Sequence, residues 1–205
     1  MSRIDLFKST HVYHICLNFN SKRFADERDK KKFLDLVLRR QREERLQIFA
    51  FAILDDELQL AAGLPRRRGK TAAVPAKLLR CLEECCPRTG KDKGVPEMNL
   101  AEAEPVWEIR RVRDMEELLH VCMDIHMLPR NRGYAKLAGD YWWSSLRTYR
   151  GTYLWANVNV EPLLRYLGED METGRRRFIR MHQDADQRLP KEGPDGEEPD
   201  GEDPD

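Results

Sequence analysis

No stretch of this 205-residue sequence approaches the ~18 consecutive apolar residues that a membrane-spanning helix needs. Residues 1–8 (MSRIDLFK) lack the apolar segment of a secretory signal, so the expected compartment is the cytoplasm. Cysteine is sparse: Cys16, Cys81, Cys85, Cys86 and Cys122 make an odd set that excludes a disulfide framework in a chain without a secretory signal. The spacing of Cys81, Cys85 and Cys86 has no second Cys/His pair at finger-like distance, so these read as ordinary thiols rather than a zinc site. Gly69-Lys70-Thr71 ends like a phosphate loop, but five residues separate Gly63 from Gly69 where that motif has four, and Pro65 with three arginines makes a basic surface loop instead.

Net charge is also missing, with 36 basic and 36 acidic residues. The balance conceals a segregation. From Lys191 to Asp205 one lysine faces eight acids, so that end carries −7 and the remaining body +7. A basic body with an acidic, Pro/Gly-rich appendage suits a nucleic-acid binder. The appendage has nothing apolar to bury, and residues 184–205 are expected to be a disordered tail after a domain spanning 1–183.

Within that body the apolar pattern alternates between strand and helix periods. Residues 13–19 (YHICLNF) form a β-branched and aromatic run, and residues 26–45 form an amphipathic helix with Asp26 as cap. Residues 46–54 (LQIFAFAIL) read as a buried strand, Asp55-Asp56 as a turn, and 57–61 as the return strand of a hairpin. A basic loop at 63–71 precedes a short helix at 75–85 and a polar, irregular insertion at 87–105. Residues 106–112 predict a strand with Glu108 and Arg110 toward solvent. Residues 115–127 predict a helix that Asp114 caps, with Glu117 three residues on, and a last helix covers 171–183. Strand, helix, hairpin, strand, helix implies an α+β fold: a ferredoxin-like antiparallel sheet of about four strands with helices packed on one face.

These segments resemble, in order, the REP-associated tyrosine transposases, a single-tyrosine HUH family. Tyr13-His14-Ile15 is similar to that family's first strand, and the segment from Phe51 to Leu60 to its apolar strand, tight turn and His-hydrophobic-His strand. The segment from Glu108 to Leu119 resembles the strand entering its catalytic helix. Ile125-His126 with Pro129 to Gly133 resembles its Tyr-Ile-His-Leu-Asn-Pro-Val-Arg-Ala-Gly segment. Trp143-Ser144-Ser145 matches its Trp-Ser-Ser signature, and the segment from Leu164 to Phe178 resembles its Phe-Gly-Glu-Asp segment and Arg-rich helix.

The resemblance implies a site in which two strand histidines, on one face because they are two residues apart, bind a divalent metal such as Mg²⁺. A helical tyrosine attacks the phosphate, and an Asn or Gln one turn later supplies a third ligand. Here the paired strand positions hold Glu57 and Gln59, the nucleophile position Asp124, and the third-ligand position Leu128. The sequence expectation is therefore a chain that is not an enzyme and needs no cofactor or metal. Oxygen ligands from Glu57, Gln59 and Asp124 leave open a Mg²⁺ site of another kind.

A nucleic-acid surface remains. Its expected contacts are Arg66, Arg67, Arg68 and Lys70; Arg110, Arg111 and Arg113; Arg130 and Arg132; Arg175, Arg176 and Arg177. Trp142, Trp143 and Tyr149 are candidates for stacking on unpaired bases, with core packing as the other reading of the tryptophans. The implied partner is hairpin-forming single-stranded DNA, without a membrane. A protein-interaction module that does not touch nucleic acid, or a transposase or nuclease with a remodelled site, are the alternatives. The sequence leaves the oligomeric state open.

Overall fold

The computed structural model describes residues 6–19, 22–66, 106–152 and 158–188, together with 76, 80 and 82. The expected helix at 75–85, the insertion at 87–105, most of the acidic tail, and Arg67, Arg68 and Lys70 lie mainly or wholly outside those residues. A one-turn helix α1 (Leu6–Ser9) runs into strand β1 (Thr10–Asn18), followed by helix α2 (Glu27–Glu44) and the hairpin of β2 (Gln47–Ile53) and β3 (Glu57–Pro65). Strand β4 (Val106–Val112) then leads to α3 (Met115–Asn131), a short α4 (Leu146–Arg150), α5 (Glu161–Leu167) and α6 (Met171–Arg188). No helix among the described residues is long and apolar enough to cross a membrane.

The four strands form one sheet in the order β2-β3-β1-β4, every neighbouring pair antiparallel. With β3 between them, β1 and β2 run parallel and α2 carries the chain across. This is the split crossover of the ferredoxin-like plan, as the pattern of elements implied. Local chemistry sets the helix starts. Asp26 is extended (φ −87°, ψ 127°) and accepts a hydrogen bond from the Arg28 amide at 2.8 Å, while Asp114 accepts from the Glu117 amide at 2.9 Å. Glu117 in turn accepts from the Arg113 amide at 2.8 Å, which ties the end of β4 to the first turn of α3.

The helices divide between the two faces of the sheet, which extends the one-face packing suggested by the sequence. Tyr13, Ile15 and Leu17 of β1, with Leu58 and Leu60 of β3, pack against Phe33, Leu34 and Val37 of α2. Val12, Phe49, Ala50, Ala52 and Ala61 share the second core with Leu118, Val121, Cys122 and Ile125 of α3, and with Leu164 and Phe178 of α5 and α6. The second face is apolar at Val12, Phe49, Ala50, Ala52 and Ala61, so a single helical layer would leave those residues wet. Each large side chain buried this way contributes about 1.5–3 kcal/mol.

The return strand of the hairpin and the helix after β4 both run further than the sequence pattern implies. β3 continues to Pro65 because β1 begins at Thr10 and pairs with it, taking Gly63 and Leu64 out of the expected basic loop. Helix α3 runs through Pro129, since a proline costs one amide bond and the turn beyond it is closed by the Arg132 amide on Leu128 O (3.0 Å) and the Tyr134 amide on Pro129 O (2.8 Å).

Candidate nucleic-acid interface

The outer edge of β2 would be an unpaired ladder, and the Trp-Ser-Ser segment closes it. The Ile53 amide donates to Trp143 O at 3.0 Å, the Ser145 amide to Phe51 O at 3.0 Å, and the Phe51 amide to Ser145 Oγ at 2.8 Å. Behind Ser145 lies a buried relay. Ser145 Oγ is 2.7 Å from His126 Nε2, His126 Nδ1 is 3.1 Å from His182 Nε2, and His182 Nδ1 is 2.8 Å from Phe178 O. The backbone fixes its polarity. A carbonyl only accepts, so His182 carries its proton on Nδ1 and takes the His126 Nδ1–H at Nε2, leaving His126 Nε2 to accept from the Ser145 hydroxyl. Burial pulls both histidines below their ordinary range, His182 to about 4, so both are neutral. Fully enclosed by Tyr149 and Phe178, this relay holds α6 against α3.

The four positions where the resemblance implies chemistry lie on two elements that pack together, Glu57 and Gln59 on β3 and Asp124 and Leu128 on α3. Glu57, with a buried side chain, accepts from Arg132 at 2.9 Å and from Gln59 Nε2 at 2.7 Å. The carboxylate only accepts, so the Gln59 amide nitrogen faces it and Gln59 Oε1 faces His14 Nε2 at 3.1 Å. His14 is thus the donor at Nε2, with Cys16 Sγ 3.4 Å from the same nitrogen. Burial lowers the His14 pKa, a trend that Arg110 reinforces and Gln59, Asp124 and Glu108 oppose. The Cys16 thiol is pushed up to about 11, first by burial and then by Glu57 and Glu108, so it stays protonated. Asp124 is exposed on α3, and Leu128 is half-buried against both cores. Sequence reasoning named Glu57, Gln59, Asp124 and Leu128 but not the joining of His14, Cys16 and Arg132 to them. That joining depends on the β1–β3 register, which sets Cys16 opposite Gln59.

This donor set does not fit the divalent metal the resemblance implies. Glu57 is already held by a guanidinium and an amide, His14 presents N–H rather than a lone pair toward Gln59, and Arg132 adds positive charge where a cation would sit. Tyr141, whose hydroxyl donates to Ile53 O at 2.7 Å, and Tyr134 both have their phenols raised, chiefly by burial, the opposite of what a nucleophile needs.

The predicted basic residues separate into two kinds. Arg130 pairs with Asp186 at 3.2 Å, Arg175 donates to Thr148 O at 3.2 Å and to Tyr149 O, and Arg177 donates to Leu167 O at 2.6 Å; these tie helices together. Arg110 is paired with Glu117, Arg132 with Glu57, and Arg176 reaches Thr173 Oγ1 at 3.4 Å. Arg66, Arg111 and Arg113 are exposed, and their guanidinium groups have no hydrogen-bond or ion-pair partner among the described residues. Of the aromatic candidates, Trp143 and Tyr149 are buried. Trp142 is 41% exposed with the Arg147 guanidinium 4.5 Å from its ring centroid, a cation–π pair open to solvent.

No family model matches the sequence, and no curated protein does. Among solved structures, a REP-associated tyrosine transposase bound to a REP hairpin matches with a TM-score of 0.50 at 16% identity, over 73% of this chain and 87% of that one. The likeness is one of fold: an α+β domain with a four-stranded antiparallel sheet, shared with a transposase. It corrects the expectation that the chain is not an enzyme. The fold is one that an enzyme uses, and missing the histidine pair and helical tyrosine is no basis for excluding catalysis.

Proposed function

We propose that this chain binds structured single-stranded DNA, a hairpin with short unpaired flanks, and derives from the REP-associated tyrosine transposases in a regulatory or complex-forming role. The observation that carries the reading is the fold held in common with a transposase bound to a DNA hairpin. The arrangement of charge supports it. Arg66, Arg111 and Arg113, exposed and without partners among the described residues, can neutralise phosphates, and the solvent-exposed Trp142–Arg147 pair supplies a stacking surface for an unpaired base. Arg110 and Arg176 add exposed pairings that a phosphate can displace.

A competition experiment tests the reading. A fluorescent DNA hairpin with flanks is bound to the full chain and challenged with an unstructured strand and with a duplex of equal length. Preferential retention of the hairpin is expected. Equal competition by all three, or no binding at low salt, refutes the proposal.

A further inference from the structure

On the α2 side of the sheet, one end of β1 carries an arrangement that nothing in the fold explains. The Arg66 amide donates to Ser9 O at 2.7 Å, which continues the β1–β3 register one step past the Thr10–Pro65 pair, and Arg111 of β4 lies directly opposite Tyr13. Alternation along strands then places Arg66, His11, Tyr13 and Arg111 on one face, with an arginine from each flanking strand on either side of His11. Lys30–Asp55, Arg130–Asp186 and Arg132–Glu57 are ion pairs, whereas the Arg66 and Arg111 guanidinium groups have no ion-pair or hydrogen-bond partner among the described residues. His11 is only 4% exposed, yet its Nδ1 has no hydrogen-bond partner among the described residues. A shielded, unpartnered ring nitrogen between two unpaired arginines is a site built for an acceptor-only ligand.

We propose that Arg66, Arg111 and His11 form a phosphate site for the nucleic-acid backbone, on the sheet face opposite α3, and that its occupation is coupled to uptake of one proton by His11. In the free protein the surroundings of the ring disfavour its charged form. Burial opposes its charging first, then the Arg66 and Arg111 guanidinium groups, and the neighbouring Tyr13 phenol carries no charge. An oxyanion between the arginines reverses that field. The imidazole then takes a proton from solvent and donates an N–H to the phosphate oxygen. Affinity should therefore strengthen as pH falls from 8 to 6, approaching about tenfold per pH unit where a full proton is taken up.

The site rests on the hairpin reading for its ligand, and two probes keep the two claims apart. Sulfate, which has no proton of its own to exchange in this range, and the hairpin oligonucleotide are titrated into the full chain at pH 6, 7 and 8. Calorimetry in two buffers of different ionisation heat counts protons. Expected are proton uptake with both probes, a loss of at least tenfold in sulfate affinity for Arg66→Ala with Arg111→Ala, and a pH-independent residual affinity for His11→Gln. Both arginines are exposed, so their removal leaves the core intact. Tight hairpin binding that is indifferent to pH and to all three substitutions overturns the site and leaves the hairpin reading standing. His11-linked sulfate binding without hairpin binding upholds the site and removes the hairpin as its ligand. Failure of both probes to bind overturns both.

Discussion

Ser145 shows how one hydroxyl can hold two layers of a protein together. Its Oγ accepts from the Phe51 amide and donates to His126 Nε2, joining the β2 edge to the relay behind α3. Ser145→Ala leaves an amide and an imidazole nitrogen unsatisfied in the core, and about 2–4 kcal/mol of stability should be lost in urea unfolding, whereas Ser144→Ala should cost less. The relay also predicts acid sensitivity with a definite sign. His182 has its ordinary pKa of 6.5 when unfolded and about 4 when folded, because burial disfavours its cation. The unfolded chain therefore binds more protons between those values. The stabilisation is complete above pH 6.5 and is lost as pH falls toward 4, on the order of 3 kcal/mol from this group. Urea unfolding at a series of pH values should show a steeper decline for the native chain than for His182→Gln. Identical slopes would mean that His182 is not buried in its neutral form.

At the scale of elements, the closest contact is the crossing of α5 and α6. A Cβ built on Gly174 falls 1.9 Å from Leu164 O, so α6 approaches the backbone of α5 more nearly than any side chain permits. Gly174→Ala should push the helices apart and cost roughly 3 kcal/mol, lowering the thermal midpoint; a variant as stable as the native chain would contradict this packing. Elements were also where the sequence was most legible. Apolar, β-branched and alternating runs located all four described strands, β4 to the residue, and Asp26 and Asp114 announced the helix caps. What it missed was set by partners distant in sequence. β3 reaches Pro65 because Thr10 lies opposite, and α5 is too short and too dependent on α6 to show a helical period of its own. His14 and His182 act through residues 45 and 56 positions away, a relation no local pattern contains.

For the whole molecule, the +7 body anticipated a basic surface but not its division of labour. Charge patterning cannot tell an arginine that braces two helices, such as Arg130 or Arg175, from one that is exposed and has no partner among the described residues, such as Arg111. Phosphate contacts by the unpaired group should appear as salt dependence, each adding about 0.7 to the slope of log affinity against log salt on a single strand. Removing Arg66, Arg111 and Arg113 together should lower that slope by about 2 units, while Arg175→Ala should alter stability first. The most direct test is the affinity of the full chain for a flanked DNA hairpin measured from 50 to 300 mM salt. DNA binding through these arginines predicts specific binding with a steep salt dependence that flattens in the triple-arginine variant. Binding that is absent at 50 mM salt, or a slope unchanged by those three substitutions, would contradict it.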